Sequence, residues 1–420
     1  LKDETYGEFK APRTINSRSD QCKVLFGPFF HAIETKLFKL KWFIKYVPVK
    51  QRAQFISNYV NQPGAKIIST DFSQFEAHFK REIMETIEFQ LYDYMVQNVP
   101  GGIEFMQLVR KYIGGTNDIA FKNINVYCDA TRMSGEMNTS LGNSFTNLMI
   151  MLFSAQELGW ISTKGTVEGD DGLFTYFGDL PPENWFNNLG WNIKLVPSDK
   201  ISTASFCGLL FDEIDQQIIT DPIKVVNNMG WLSRDYCHAS DRLIKRILKC
   251  KSLSFLYQYS GCPIVHSLAK YFLRATNSSR TKMPNDWANN SYDRNYYIKI
   301  LAELKDNWDL YINETPTYRT RLLFEQMYKI TVPQQVAIEK YFDSLNELTP
   351  LNSPLLEPLT TVHTVTYHLY YVKKFSKAQI YDPYLNVYNR YENFKTFVIN
   401  KQFSGEPNLP EYNFIKDAVM

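Results

Sequence analysis

The chain has 420 residues, 44% hydrophobic and 15% aromatic, which suits a folded protein with room for two or three subdomains and excludes a disordered polymer. Six cysteines without a CxxC pair exclude a disulfide scaffold and fit free thiols, and no run of 18 apolar residues offers a membrane span. Net charge is only +2, but it falls in blocks: 10 Lys/Arg against 5 Asp/Glu in 1–50, 12 against 21 in 51–230, and 10 against 2 in 231–282. An acidic centre between basic stretches suits a site that holds divalent cations while its flanks grip a polyanion, although uneven surface charge looks the same.

Residues 1–23 carry Lys2, Lys10, Arg13, Arg18 and Lys23 among β-prone and turn residues, and predict an extended ribbon or loop. Arginine forks match phosphate oxygens in pairs, so such a ribbon can receive a triphosphate. Ile33, Leu37, Leu40, Phe43 and Ile44 then recur at helical spacing and predict a helix over 31–46. After a turn at Gln62-Pro63-Gly64, residues 65–70 read as a short buried strand ending at Asp71. Open sheets place ligand chemistry at that end of a strand, while Asp71 as a helix N-cap is the plainer alternative. Glu76 comes five residues on, placed to bond sugar hydroxyls or simply to favour a helix dipole. Phe79, Ile83, Ile87, Leu91 and Tyr94 predict one amphipathic helix, stopped by Pro100-Gly101-Gly102. Residues 103–128 are a mixed stretch with a turn at Gly114-Gly115 and a strand-like end.

Next, a small Ser134-Gly135 loop opens into a helix that presents Thr139 and Asn143 four apart on one face. Asn143 offers a donor and an acceptor to a 2′-hydroxyl; ordinary Ser/Thr capping is the alternative. The stretch 166–177, TVEGDDGLFTYF, predicts a hairpin with Asp170 and Asp171 at its tip. Adjacent aspartates repel unless a cation neutralises them, and hard oxygen ligands suit Mg²⁺ or Mn²⁺. Taken alone, Gly-Asp-Asp-Gly is also an ordinary solvated turn. A short helix over 181–189, a strand over 191–196 and a hairpin over 205–219 follow, with Lys194 and Lys200 between. From Pro222 onward the pattern is helical. Cys250, Cys262 and His266, with Cys237-His238 upstream, make a loose zinc pattern that is set aside because zinc ligands come in tighter pairs.

Read together, Asp71-x4-Glu76, Ser134-Gly135-x3-Thr139-x3-Asn143 and Gly169-Asp170-Asp171 resemble motifs A, B and C of RNA-dependent RNA polymerases of positive-strand RNA viruses, closest to the tombusvirus-like and nodavirus-like kinds. Lys10-x2-Arg13-x-Ile15 with Arg18 looks like motif F, residues 190–200 like motif D, and Phe206-Cys207-Gly208 like motif E. Glu76 departs from the pattern, since many relatives carry Asp there. A reverse transcriptase is discounted because Glu168-Gly169 precede the aspartates and Asn143 favours ribonucleotides. A non-catalytic RNA-binding palm is discounted because all three carboxylates are present.

The resemblance implies an α/β (α+β) right-hand polymerase with fingers, palm and thumb. Its antiparallel palm sheet would be backed by helices and its thumb would be helical. Residues 1–64 would be partial fingers lacking their N-terminal part, 65–97 and 133–220 palm, 98–132 a fingers insertion, and 221–420 thumb and C-terminal region. These 420 residues are accordingly expected to be less than the whole polymerase, with a folded palm and thumb, a mobile N-terminal segment and weak or absent activity alone. Two Mg²⁺ (or Mn²⁺) ions would sit on Asp71, Asp170 and Asp171. Arg13, supported by Lys10 and Arg18, would meet the triphosphate; Glu76, Ser134, Gly135, Thr139 and Asn143 would meet the rest of the nucleotide. Lys200 would protonate the pyrophosphate, preferred to Lys194 because Pro197-Ser198-Asp199-Lys200 resembles the end of motif D. Expected partners are template and product RNA, NTPs and other viral replication proteins. The expected location is the host cytoplasm, in replication complexes at membranes reached only through parts outside this chain.

Overall fold

A computed structural model describes residues 13–229, 236, 238–277, 291–349, 351 and 353–361. The first helix, α1 (Asp20–Leu37), starts where Ser19 Oγ accepts from Cys22 N at 3.3 Å. Helix α2 (Val49–Phe55) leads to strand β1 (Lys66–Phe72), followed by α3 (Arg81–Thr86), α4 (Glu88–Val96) and α5 (Gly102–Tyr112). A side hairpin of β2 (Thr116–Ala120) and β3 (Asn125–Asp129) precedes the long helix α6 (Thr139–Glu157). Strands β4 (Ile161–Glu168) and β5 (Asp171–Phe177), helix α7 (Trp185–Asn188) and strand β6 (Ile193–Ser198) complete the central unit. A second hairpin, β7 (Leu209–Phe211) with β8 (Ile218–Thr220), opens a helical part: α8 (Pro222–Met229), α9 (Asp241–Tyr259), α10 (Val265–Ala275), α11 (Ser291–Asp306), α12 (Trp308–Ile312), α13 (Tyr318–Tyr328) and α14 (Val332–Ser344).

The central sheet has the order β4-β5-β1-β6, with every pairing antiparallel. Strand β1 lies inside it and is buried on both faces. Ile68 and Phe72 look toward α1, α4, α5 and α6, in a core with Phe26, Phe30, Phe105 and Met151. Ile67 faces the other way, with Leu173, Ile44, Ile56 and Phe206. Pro197 sits on edge strand β6, where a missing ladder donor is tolerated. A separate core holds α8, α10, α13 and α14 together around Phe324, Tyr271 and Phe342.

Three expectations of element boundaries are corrected. The helix expected over 31–46 begins at Asp20 and ends at Leu37, while residues 13–18 before it are neither helix nor strand. The apolar residues that prolonged the pattern are buried by pairing with the sheet: Val167 N donates to Trp42 O at 2.8 Å and Ile44 N to Val167 O at 3.3 Å, while Leu40 is exposed. The single helix expected through Tyr94 is broken at Ile87. Tyr94 is exposed, and the break turns Glu88 inward to meet Arg132. Residues 103–128 separate into helix α5 and the β2–β3 hairpin.

Candidate active site

The register Glu168↔Asp171 makes the β4–β5 connection a two-residue loop of Gly169 and Asp170. Gly169 has φ +66°, the backbone that such a loop asks of its first position. Helix α6 holds this loop from behind. Ser144 Oγ accepts from Gly169 N at 2.8 Å, and Asn147 Nδ2 donates to Gly169 O at 3.2 Å and Asp170 O at 2.9 Å. Gly172 then passes so close to β1 that a Cβ would lie 2.6 Å from Thr70 Oγ1. The pairing Thr70↔Gly172 carries Asp71 to the same end of the sheet as Asp170 and Asp171. Asp71 lies within β1, so the N-cap alternative is excluded.

Asp170 and Asp171 are both raised by burial and by neighbouring carboxylates. Desolvation raises Asp170 first, the Glu76 and Asp71 charges add to it, and Arg13 pulls it back. Asp171, half-buried, is pushed up to about 6 by desolvation and then by the Asp170 charge, against a hydrogen bond from the Cys207 thiol. A nearby cation relieves such repulsion. Among the described residues no three Asp, Glu, His or Cys side chains converge as a ready-made metal cage. Mg²⁺ seldom uses one: it takes one or two carboxylates plus substrate phosphates. The donor set at the end of β1 and β5 fits that habit.

On the nucleotide side, Asn143 Nδ2 donates to Glu76 Oε1 at 3.3 Å, from α6 to the short 3-10 turn Phe75–His78. The buried Asn143 Oδ1 has no protein partner, which leaves an acceptor for a hydroxyl. Thr139 opens α6 and donates to Met133 O at 3.0 Å, pinning the loop that holds Ser134 and Gly135. Gly135 has φ +101°, so an L side chain there would be strained. Arg13 is exposed and close enough to act on Asp170.

Three expected site residues stand differently. Arg18 is not aimed at the site: Nε donates to Glu136 Oε1 at 2.7 Å, and Nη2 bonds the same oxygen. Lys200 comes two residues after Ser198, whose partner Ile67 lies four residues down β1 from Asp71, roughly 13 Å along the strand. Lys194 is the residue opposite Asp71, and residues directly opposite in an antiparallel pair share a face. Lys10 lies outside the described residues. In the loose zinc pattern, Gly261 N donates to His266 Nδ1 at 3.2 Å and Nε2 lies 3.3 Å from Ile312 O, so backbone partners engage both ring nitrogens. Cys237 is outside the described residues.

Sequence reasoning missed Ser144 and Asn147, the two residues that hold the acidic loop, and the buried pair of Arg132 with Glu88 beneath them. Asn147 was findable: it continues the four-residue spacing of Thr139 and Asn143 along one helix face.

A family model of viral RNA dependent RNA polymerase matches residues 9–349. The RNA-directed RNA polymerase of Oat chlorotic stunt virus (isolate United Kingdom) is 25% identical over 397 residues, 85% of this chain and 50% of that protein. The polymerase of Tobacco necrosis virus (strain A) is 25% identical over 355 residues, 80% of this chain and 46% of its own. That of Greasy grouper nervous necrosis virus is 26% identical over 211 residues, 46% of this chain and 20% of its own. The chain thus spans half or less of the length of these curated relatives. A solved RNA-dependent RNA polymerase of a human picorbirnavirus aligns with 73% of the chain and 55% of its own at 12% identity, with a TM-score of 0.47. With the carboxylates of β1 and the β4–β5 turn at one end of the sheet, the Asn143–Glu76 pair and the family match across most of its length, this chain belongs to the viral RNA-dependent RNA polymerases.

Proposed function

We propose that the chain carries the catalytic centre of a template-directed RNA polymerase, joining an incoming NTP to the 3′-hydroxyl of a growing RNA. The observation that carries this reading is the meeting of Asp71 with Asp170 at one end of adjacent strands, close enough that the Asp71 charge raises the Asp170 carboxyl. Asp71 and Asp170 would hold the divalent cations, with Asp171 beside them. Such ions lower the pKa of the attacking hydroxyl and stabilise the leaving pyrophosphate.

The protein's own groups do the rest. Arg13 offers a guanidinium to triphosphate oxygens on the same side as Asp170. Asn143, fixed by Glu76, leaves its free carbonyl oxygen to accept from a ribose hydroxyl. Lys194, opposite Asp71, is the proton donor we assign to the departing pyrophosphate, in place of Lys200. Template and product RNA and NTPs are the partners that this chemistry requires. The test gives the purified protein a primed RNA template, NTPs and Mg²⁺ or Mn²⁺. Template-dependent primer extension that EDTA abolishes supports the reading; extension that is unaffected by EDTA contradicts it.

A further inference from the structure

The ribbon that carries Arg13 lies on the loop before α6 through three contacts. Asn16 N donates to Ser134 O at 2.7 Å. Ile15 fills the notch that Gly135 leaves, where an added Cβ would come 2.7 Å from Ile15 Cγ2. Arg18 grips Glu136 through two nitrogens. The Glu136 side chain has no solvent exposure, and Arg18 keeps only 18%.

Glu136 is one link in a buried chain. Arg132 stands between it and Glu88, at 3.6 Å on the Glu136 side, and all three side chains are out of solvent. Tyr92 donates to Glu88 at 2.8 Å, and Asn138, the residue before α6, donates to Tyr92 at 3.3 Å. Arg132 and Glu88 neutralise each other, which leaves one buried negative charge on Glu136. A buried carboxylate demands a cation, and Arg18 supplies it.

We infer that Arg18 is a positioning residue: its ion pair with Glu136 locks the ribbon carrying Arg13 to the loop carrying Ser134 and Gly135, so the triphosphate and ribose sides of the nucleotide site are ordered together. Residues 13–18 form neither helix nor strand, so their order rests on these contacts. The link between ribbon and loop stands on geometry alone; its consequence for synthesis rests on the polymerase reading.

Amide hydrogen exchange without nucleotide, then NTP incorporation on primed RNA, tests this in Arg18→Gln, Arg18→Lys, Glu136→Gln and the Arg18→Gln/Glu136→Gln double variant. Arg18→Gln should speed exchange at both 14–18 and 134–137. It should raise the KM for NTP about tenfold, equivalent to roughly 1.4 kcal/mol, with kcat within about twofold. Arg18→Lys should recover part of each effect, and the double variant should be no worse than the worse single. Unchanged exchange at 134–137 in Arg18→Gln, or single effects on KM that multiply in the double, would overturn the inference, since direct contact of Arg18 with the triphosphate gives that result. If Glu136→Gln fails to fold, the two partly exposed Arg18 variants decide. Where the wild type itself incorporates no nucleotide, exchange alone decides the coupling.

Discussion

Asn147 does at the residue scale what no ligand of the site does: it fixes the two carbonyls of the turn that aims Asp170. Asn147→Ala removes both bonds and leaves those oxygens to water, a loss of about 1–2 kcal/mol in stability. A displaced turn moves the carboxylate, and misplacement by about 1 Å costs on the order of 10²-fold in rate. Thermal unfolding together with single-turnover incorporation checks both. Asp171 gives a second prediction, set by the sign of its shift. Its folded pKa, about 6, lies above the ordinary 3.8, so the fold favours the protonated form. The stabilisation this brings is complete below about pH 4 and is lost as pH rises through 6. In EDTA, Asp171→Asn should therefore stabilise the fold at pH 8, by at most about 2 kcal/mol after solvent screening, read as a higher Tm, and match wild type at pH 4. Added Mg²⁺ should narrow the gap at pH 8. Equal Tm differences at both pH values would contradict the assignment.

At the scale of elements, the sheet and its acidic hairpin were legible because they are written in local signals. Alternating apolar residues, a glycine at a positive-φ turn and a polar-to-apolar helix each depend on neighbours in sequence. What was not legible depends on partners far along the chain. Phe43 and Ile44 complete a helical pattern yet are buried where residues 42–44 pair with β4, and Glu88 breaks a helix to reach Arg132, 44 positions on. Where Arg18 and Lys200 lie was not legible for the same reason, since motif likeness carries no register. Helix α6 also crosses the buried Arg132–Glu88 pair at Gly142, where a Cβ would lie 2.1 Å from Glu88 Oε2. Gly142→Ala, normally helpful in a helix, should cost about 1–3 kcal/mol here by overpacking, read as a fall in Tm. The β1–β6 register makes a fourth prediction. Lys194→Ala should slow incorporation by about 10²-fold, while Lys200→Ala stays near wild type. The reverse ranking would return the proton donor to Lys200.

Across the whole molecule, one core packs the helices α1 and α4–α6 behind the sheet, and another binds the helical part after β8. The acidic edge of the sheet lies between them in the chain, flanked by basic stretches at 1–50 and 231–282. Among the described residues no helix is long and apolar enough to cross a membrane. All the catalytic consequences argued above descend from one claim, that Asp71 and Asp170 act together at the end of adjacent strands. The most direct measurement is Mg²⁺-dependent incorporation on primed RNA by Asp170→Ala beside wild type, with Tm recorded for both. Removing a crowded carboxylate relieves repulsion, so the variant should fold at least as stably as wild type and incorporate no nucleotide. A folded variant that keeps wild-type incorporation would contradict the account.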